Sequence, residues 1–329
     1  MPRRYVHSKL NHMNTIIIFL NLFTLLLQSN SVELERVTEV TSIGEHFLSG
    51  IRNVQIIDDK LIVANGDQQQ IIIADVNGNY LHSFGRSGSG PGEFRSLNQL
   101  TANAQSKTIY VWDQNLARLS SFDLSGTHLE SIQVPGRFMG IVANGNSSIF
   151  ASVLDLAGGS KLVKQIKMDN GAVGEFVESD QLTVQVHRSG NVGGIAYSNK
   201  SNIIYYGYAY PYKIIGIDEQ EKKTFTFESN HPEFTLPEES KNSGGMILGG
   251  NLKSRISSVL PVEGQIWVQY QTPSGNFVDI ISKVDAKIIQ TITFSENHRL
   301  GDYKDGFLYT YTVGRDAIPK IVKWKVSNL

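Results

Sequence analysis

The sequence predicts an all-β fold, a six-bladed β-propeller of four-stranded antiparallel blades whose ring is closed by an N-terminal strand, and three observations predict it. First, an apolar strand, an aspartate, a tight turn and a second apolar strand recur along the chain. Asp75-Val-Asn-Gly78-Asn-Tyr80-Leu81 returns 48 residues later as Asp123-Leu-Ser-Gly126-Thr-His128-Leu129, and a looser copy stands at Asp169-Asn-Gly171. Second, another pair of strands precedes each such hairpin, as in Val54–Ile57 with Leu61–Ala64 and Gln99–Ala102 with Thr108–Trp112. Four short strands therefore fill each unit of roughly 40 to 50 residues. Third, no amphipathic helical pattern intervenes, whereas Ile71-Ile72-Ile73, Ile203-Ile204-Tyr205-Tyr206 and Ile288–Phe294 are rich in β-branched and aromatic residues.

Taken in order, the chain opens with Arg3, Arg4 and Lys9, an apolar run from Ile16 to Leu27, and the small residues Ser29 and Ser31. This is the pattern of a secretory signal peptide over residues 1–31. The run is about a dozen residues long, whereas a bilayer core needs about 20. Cleavage after Ser31 is expected, leaving no stable transmembrane span and a protein exported to the periplasm, the cell envelope or the extracellular space. Glu33–Ile43 has strand character and is expected to supply the outer strand that the last unit lacks. The units run over 51–94, 95–135, 136–186, 187–235, 251–296 and 297–329, which makes residues 32–329 a single domain. Residues 228–254, with His231-Pro232, Leu236-Pro237 and two Gly-Gly pairs, form a connection longer than a blade junction requires. The aspartates at the repeat turns, with Asp218 and Asp285 at the same place in later copies, read as turn chemistry: the carboxylate accepts a turn N–H and glycine takes positive φ.

Composition removes several function classes. There are no cysteines, hence no disulfides, thiolate chemistry or lipid-anchoring cysteine. The net charge of −1 becomes −4 once the three basic residues of the leader are gone, which disfavours nucleic-acid binding because phosphate contacts need a basic surface excess. The six histidines outside the leader, His46, His82, His128, His187, His231 and His298, show no HxH or HExxH spacing, and no metal ligand is assigned. Gly88–Gly92 lacks the preceding strand, following helix and Lys-Ser/Thr of a phosphate loop. Gly-x-Ser-x-Gly is absent from the sequence as well.

Tyr110-Val-Trp-Asp113-Gln-Asn-Leu-Ala-Arg118-Leu-Ser-Ser-Phe122-Asp123 resembles the NHL repeat, whose core reads strand, Asp, turn, Arg, strand, Asp. Gly85-Arg86-Ser-Gly88-Ser-Gly90-Pro91-Gly92-Glu93-Phe94 resembles the NHL linker between blades. The likeness covers residues 54–135, and beyond them only the strand spacing persists. It implies a six-bladed propeller similar to exported bacterial TolB-like binding modules.

One alignment points to a ligand site. Four residues before the apolar positions Ile56, Leu100, Ile141, Ile195, Val259 and Tyr303 of the first strands stand Arg52, Ser96, Arg137, Asn191, Arg255 and Arg299. First strands line the shaft of a propeller, so these positions would ring one mouth and suit a carboxylate or phosphate. The bland alternative is local pairing with Asp58, Asp302 or Asp305. Tyr206, Tyr208, Tyr210 and Tyr212 alternate at period two; packing between blades is the simpler reading, with Pro211 ending the strand. The function expected is non-catalytic binding or scaffolding with a protein or anionic carbohydrate partner and no cofactor. The alternatives are a lactonase-like or strictosidine-synthase-like metal-dependent enzyme, which would use calcium, and an anionic-glycan lyase in which arginines hold carboxylates.

Overall fold

A computed structural model describes residues 31–329 apart from 155, 157–160, 189, 237–238, 243–244, 249–251, 295 and 313–317. The leader expected over residues 1–31 lies outside them, Ser31 excepted. Six four-stranded antiparallel sheets form the blades. Their innermost strands are Ile51–Ile57, Leu97–Asn103, Phe138–Ala143, Ile195–Ser198, Arg255–Val262 and His298–Lys304. Each touches the next and the sixth touches the first, so the strands close a ring around the shaft.

The middle strands read as unbroken apolar runs because a blade is covered by a neighbour on both faces. Ile71, Ile72 and Ile73 are all fully buried, as are Trp112 and Trp267. The core is divided among the seams: six hydrophobic clusters each join two adjacent blades. Removing one of the seam tryptophans would cost about 3–5 kcal/mol. Polar side chains also stitch the inner strands together. Asn53 Nδ2 donates to Leu100 O at 2.6 Å, Ala143 N to Thr101 Oγ1 at 3.0 Å, Leu300 N to Gln269 Oε1 at 3.0 Å, and Ile56 N to Asp302 Oδ2 at 2.8 Å.

The closing strand is where the sequence places it. Glu33–Val40 pairs antiparallel with Ile321–Ser327, from Glu33 opposite Ser327 to Val40 opposite Ile321, and so completes the sixth blade. The rest of the expected segment, Ser42–Ile43, forms a small hairpin with His46–Phe47. Three of the repeat aspartates act as turn residues: Asp75 Oδ1 accepts from Asn77 N and Asn79 N, Asp123 Oδ1 from Ser125 N and Thr127 N, and Asp218 Oδ1 from Gln220 N and Lys222 N. Asp285 does not share their place, because the strand of blade 5 ends at Ser282 and Asp285 lies three residues further into the turn.

Two connections differ from expectation. The junction between blades 3 and 4 contains a helix, Gln181–Arg188, where the sequence suggests none. Asp180 caps it by accepting from Thr183 N and Thr183 Oγ1, both at 2.7 Å. Its apolar residues alternate as in a strand, and packing of Leu182 and Val186 against Ala209 and Leu252 decides for helix. The long connection 228–254 also carries secondary structure, a hairpin of Glu239–Asn242 with Gly245–Leu248.

Candidate functional site

Each inner strand begins at the same mouth, and its first rung is fixed by pairing with the end of the second strand. Arg255 lies opposite Gln271 and Arg299 opposite Tyr311. The equivalent backbone bonds elsewhere are Leu154 N to Arg137 O, Gln114 N to Ser96 O and Gly66 N to Gly50 O. A β-bulge follows this rung in five blades, between Ile51 and Asn53, Leu97 and Gln99, Phe138 and Gly140, Ile256 and Ser258, and Leu300 and Asp302. In blade 1 the rung residue is therefore Gly50, and Arg52 sits on the bulge two residues further along. The apolar position equivalent to Leu100 and Ile141 is Val54, and because Val54 and Ile56 are both buried on one strand, a slip of two residues leaves the hydrophobic pattern unchanged.

The structure still brings Arg52 to the neighbourhood of Arg299, through Tyr311. The Tyr311 hydroxyl donates to Arg52 O at 2.9 Å. Burial raises the Tyr311 pKa, while the nearby Arg299 and Arg52 guanidiniums pull it back. Arg255 is half-buried at the next blade: its Nη1 donates to Asn191 Oδ1 at 2.8 Å and its Nη2 to Gln271 Oε1 at 3.2 Å. Burial first, then the like charge of Arg299, lowers the Arg255 pKa. Asn191 is buried, and the Gln271 amide continues the network by donating to Asn297 Oδ1 at 3.0 Å.

Blades 5, 6 and 1 thus carry an arc of Arg255, Arg299 and Arg52, with Asn191 joining from blade 4. Arg137 is exposed on blade 3 and does not join it. Among the described residues, no carboxylate forms an ion pair with Arg255 or Arg299, and Arg52 has only a loose contact with Asp67, at 3.5 Å. Local pairing with Asp58, Asp302 or Asp305 does not occur: Asp58 meets Lys107, and Asp302 accepts backbone N–H groups from Ile56 and Tyr303. Arg255, held by two neutral amides, and Arg299 beside the Tyr311 hydroxyl offer guanidinium donors to an incoming anion. Gln271, Asn297 and Tyr311 are not singled out by the sequence, because strand pairing alone brings them to the rung.

Other sequence features resolve as structure. The Glu93 carboxylate folds the glycine loop onto itself by accepting from Ser89 N at 3.0 Å, Gly90 N at 2.9 Å and Arg86 Nε at 2.9 Å. These bonds, that from Gly90 foremost, lower its pKa. Arg118, nearly buried, clamps the same loop by donating to Ser89 O and Glu93 O, while Asp113 accepts from Arg95 N and Ser96 N. Of the alternating tyrosines, Tyr206 lies one residue before the end of the strand Ile203–Gly207, and Tyr212 is buried with its hydroxyl on Asp279 Oδ2 at 2.6 Å. Tyr270 and Thr291 donate to the other oxygen of Asp279, so this carboxylate ties blades 4 and 5 together. His298 faces away from the arc, packed by Phe294 and Trp324 with Nδ1 beside Thr310 Oγ1. Among the described residues, no three His, Asp or Glu side chains converge as a metal site.

The fold recurs in solved structures of low sequence identity. A Bacteroides fragilis protein described as exported superposes with a TM-score of 0.61 at 8% identity, covering 91% of this chain and 96% of its own. A member of the DUF4221 family from Bacteroides vulgatus gives 0.62 at 14% identity, with 92% and 100% covered. The PQQ-bound aldose sugar dehydrogenase of Streptomyces coelicolor gives 0.56 at 13% identity, with 91% and 99% covered. No curated protein matches the chain significantly in sequence. Residues 40–316 match the DUF5128 model, described as a 6-bladed beta-propeller, and with most of its length matched the chain belongs to that family.

Proposed function

We propose that the protein is an exported, non-catalytic binding propeller that takes an anionic ligand, a carboxylate-bearing glycan or an acidic segment of a protein, at the mouth where the inner strands begin. The observation that carries this reading is the pair Arg255 and Arg299, neighbouring cations whose described partners are neutral amide and hydroxyl groups. Like charges drawn together at a partly desolvated mouth repel each other, and an anion seated between them relieves that repulsion. Export is supported by the leader pattern and by the exported B. fragilis neighbour, whose likeness is one of fold. No helix among the described residues is long and apolar enough to cross a membrane.

Thermal-shift measurement on residues 32–329 against acidic and neutral oligosaccharides, acidic peptides and divalent cations tests this reading. An acidic ligand at 100 times its Kd should stabilise by about 2.7 kcal/mol, and the shift should vanish in Arg52→Ala/Arg255→Ala/Arg299→Ala. Stabilisation by calcium alone would overturn it in favour of a metal-dependent enzyme. So would an acidic ligand that stabilises the triple variant as strongly as the wild type.

A further inference from the structure

The mouth that carries the arginine arc also carries two strongly exposed apolar side chains, Phe47 at 80% and Ile318 at 72%. Both stand where the inner strands begin. Phe47 O accepts from Asn65 Nδ2 at 3.0 Å, and Asn65 closes the second strand of blade 1 opposite Ile51, the residue before Arg52. Ile318 O accepts from Thr312 Oγ1 at 2.7 Å, and Thr312 closes the second strand of blade 6 opposite His298, the residue before Arg299. One seam underlies the two: Leu48, next to Phe47, and Ile321, three residues after Ile318, lie in a single buried cluster with Ile51 and Tyr311. Blades 1 and 6 thus each present one guanidinium and one exposed apolar side chain at the same mouth.

We propose that the mouth over blades 6 and 1 docks an acidic, apolar peptide segment of a partner protein, whose carboxylates meet Arg299 and Arg52 while its apolar side chains cover Phe47 and Ile318. The inference rests on the anion-binding reading above and narrows it from acidic ligands in general to a peptide. Charge complementarity selects the acidic partner: Asp67 accepts from Ser49 Oγ at 2.8 Å and reaches Arg52 only at 3.5 Å, so the Arg52 guanidinium keeps donors for a ligand. The neutral polar groups of the arc favour a peptide over a sugar chain, because they are taken up by one another. Asn191 and Gln271 accept from Arg255, the Gln271 amide donates to Asn297, and the Tyr311 hydroxyl donates to Arg52 O. Tyr311 is buried, so its ring offers no face for a sugar to stack on, and the aliphatic Ile318 offers nothing to a hydroxyl group. An apolar side chain of a partner gains from covering both Phe47 and Ile318.

Selection of phage-displayed random peptides about 12 residues long on residues 32–329 tests this, with oligogalacturonate as a glycan probe. The retained sequences should combine Asp or Glu with Leu, Ile or Phe, and a synthetic peptide of that kind should bind in fluorescence anisotropy. Phe47→Ser and Ile318→Ser should each weaken its binding by at least about fivefold, and Arg299→Ala by about tenfold. Both apolar side chains are exposed, so their replacement leaves the core intact, and circular dichroism checks that each variant is folded. A selected peptide that binds Phe47→Ser/Ile318→Ser as tightly as the wild type would overturn the inference. So would a selection without acidic peptides beside oligogalacturonate binding that Arg299→Ala abolishes, a result that keeps the arc as an anion site and assigns it to glycans. Failure of both probes to bind, or their indifference to Arg299→Ala, would remove the anion-binding reading together with this inference.

Discussion

At the residue scale, the side chains that hold the ring also tune its response to pH. Asp302 sits on the inner strand of blade 6 and accepts from Ile56 N across the seam, where burial raises its pKa to about 6. A carboxyl whose folded pKa exceeds its unfolded value of 3.8 binds its proton more tightly when folded. Its contribution is therefore fully present below the unfolded pKa and is lost as pH rises through about 6. Asp302→Asn removes the titration and keeps the shape. The stability of wild type relative to this variant, from urea unfolding, should fall by up to about 3 kcal/mol between about pH 4 and pH 8. Parallel stabilities across that range would refute the assignment. Nothing in the sequence marks Asp302 as special, since its burial and its backbone partner come from a blade 246 residues away. Asp75, Asp123 and Asp218 are legible because their partners lie two and four residues on, inside the same turn.

At the element scale, the strand Glu33–Val40 has a role unlike that of any other. Among the described residues it is the one strand of the N-terminal region in a blade built otherwise from the C-terminus, so its pairing with Ile321–Ser327 joins the two ends of the ring. The start of the strand is fastened twice more: Val32 N donates to Gln290 Oε1 at 2.7 Å, and Gln290 Nε2 returns a bond to Val32 O at 3.0 Å. Deleting residues 33–43 would expose the edge of Ile321–Ser327 and open the cluster of Val32, Trp267, Leu308 and Val326. The expected result is loss of one cooperative transition and a melting temperature lower by at least 10 °C, roughly the 2–4 °C per kcal/mol of a domain this size applied to several kcal/mol. An unchanged melting temperature would show that the ring holds without it. The strand is legible in the sequence because counting four strands per unit leaves the last blade one short. The helix Gln181–Arg188 is not, because Leu182, Val184 and Val186 alternate as a strand would, and tertiary packing overrides that local period.

At the scale of the whole molecule, the ring converts a repeated set of inner strands into an unequal field. Arg255, Arg299 and Arg52 fall on three successive blades, whereas Arg137 stands across the shaft on blade 3, exposed to solvent. The sequence offers these arginines as members of one set, and only the bulges, the rung partners and the closure of the ring sort them. Their energetic weights follow from that sorting. A half-buried guanidinium next to a like charge is screened less by salt than an exposed one, and its loss removes bidentate donors from the ligand. With an acidic oligosaccharide as ligand, Arg299→Ala should therefore weaken binding by about tenfold and Arg137→Ala by less than about twofold. Raising the ionic strength from about 0.05 to 0.5 M should weaken the wild type progressively, with a shallower dependence in Arg299→Ala because one fewer charge contributes. Isothermal titration at several salt concentrations separates these cases. Equal losses from Arg137→Ala and Arg299→Ala would mean that the ligand spans the whole mouth, and the arc on blades 5, 6 and 1 would then be one side of a complete ring.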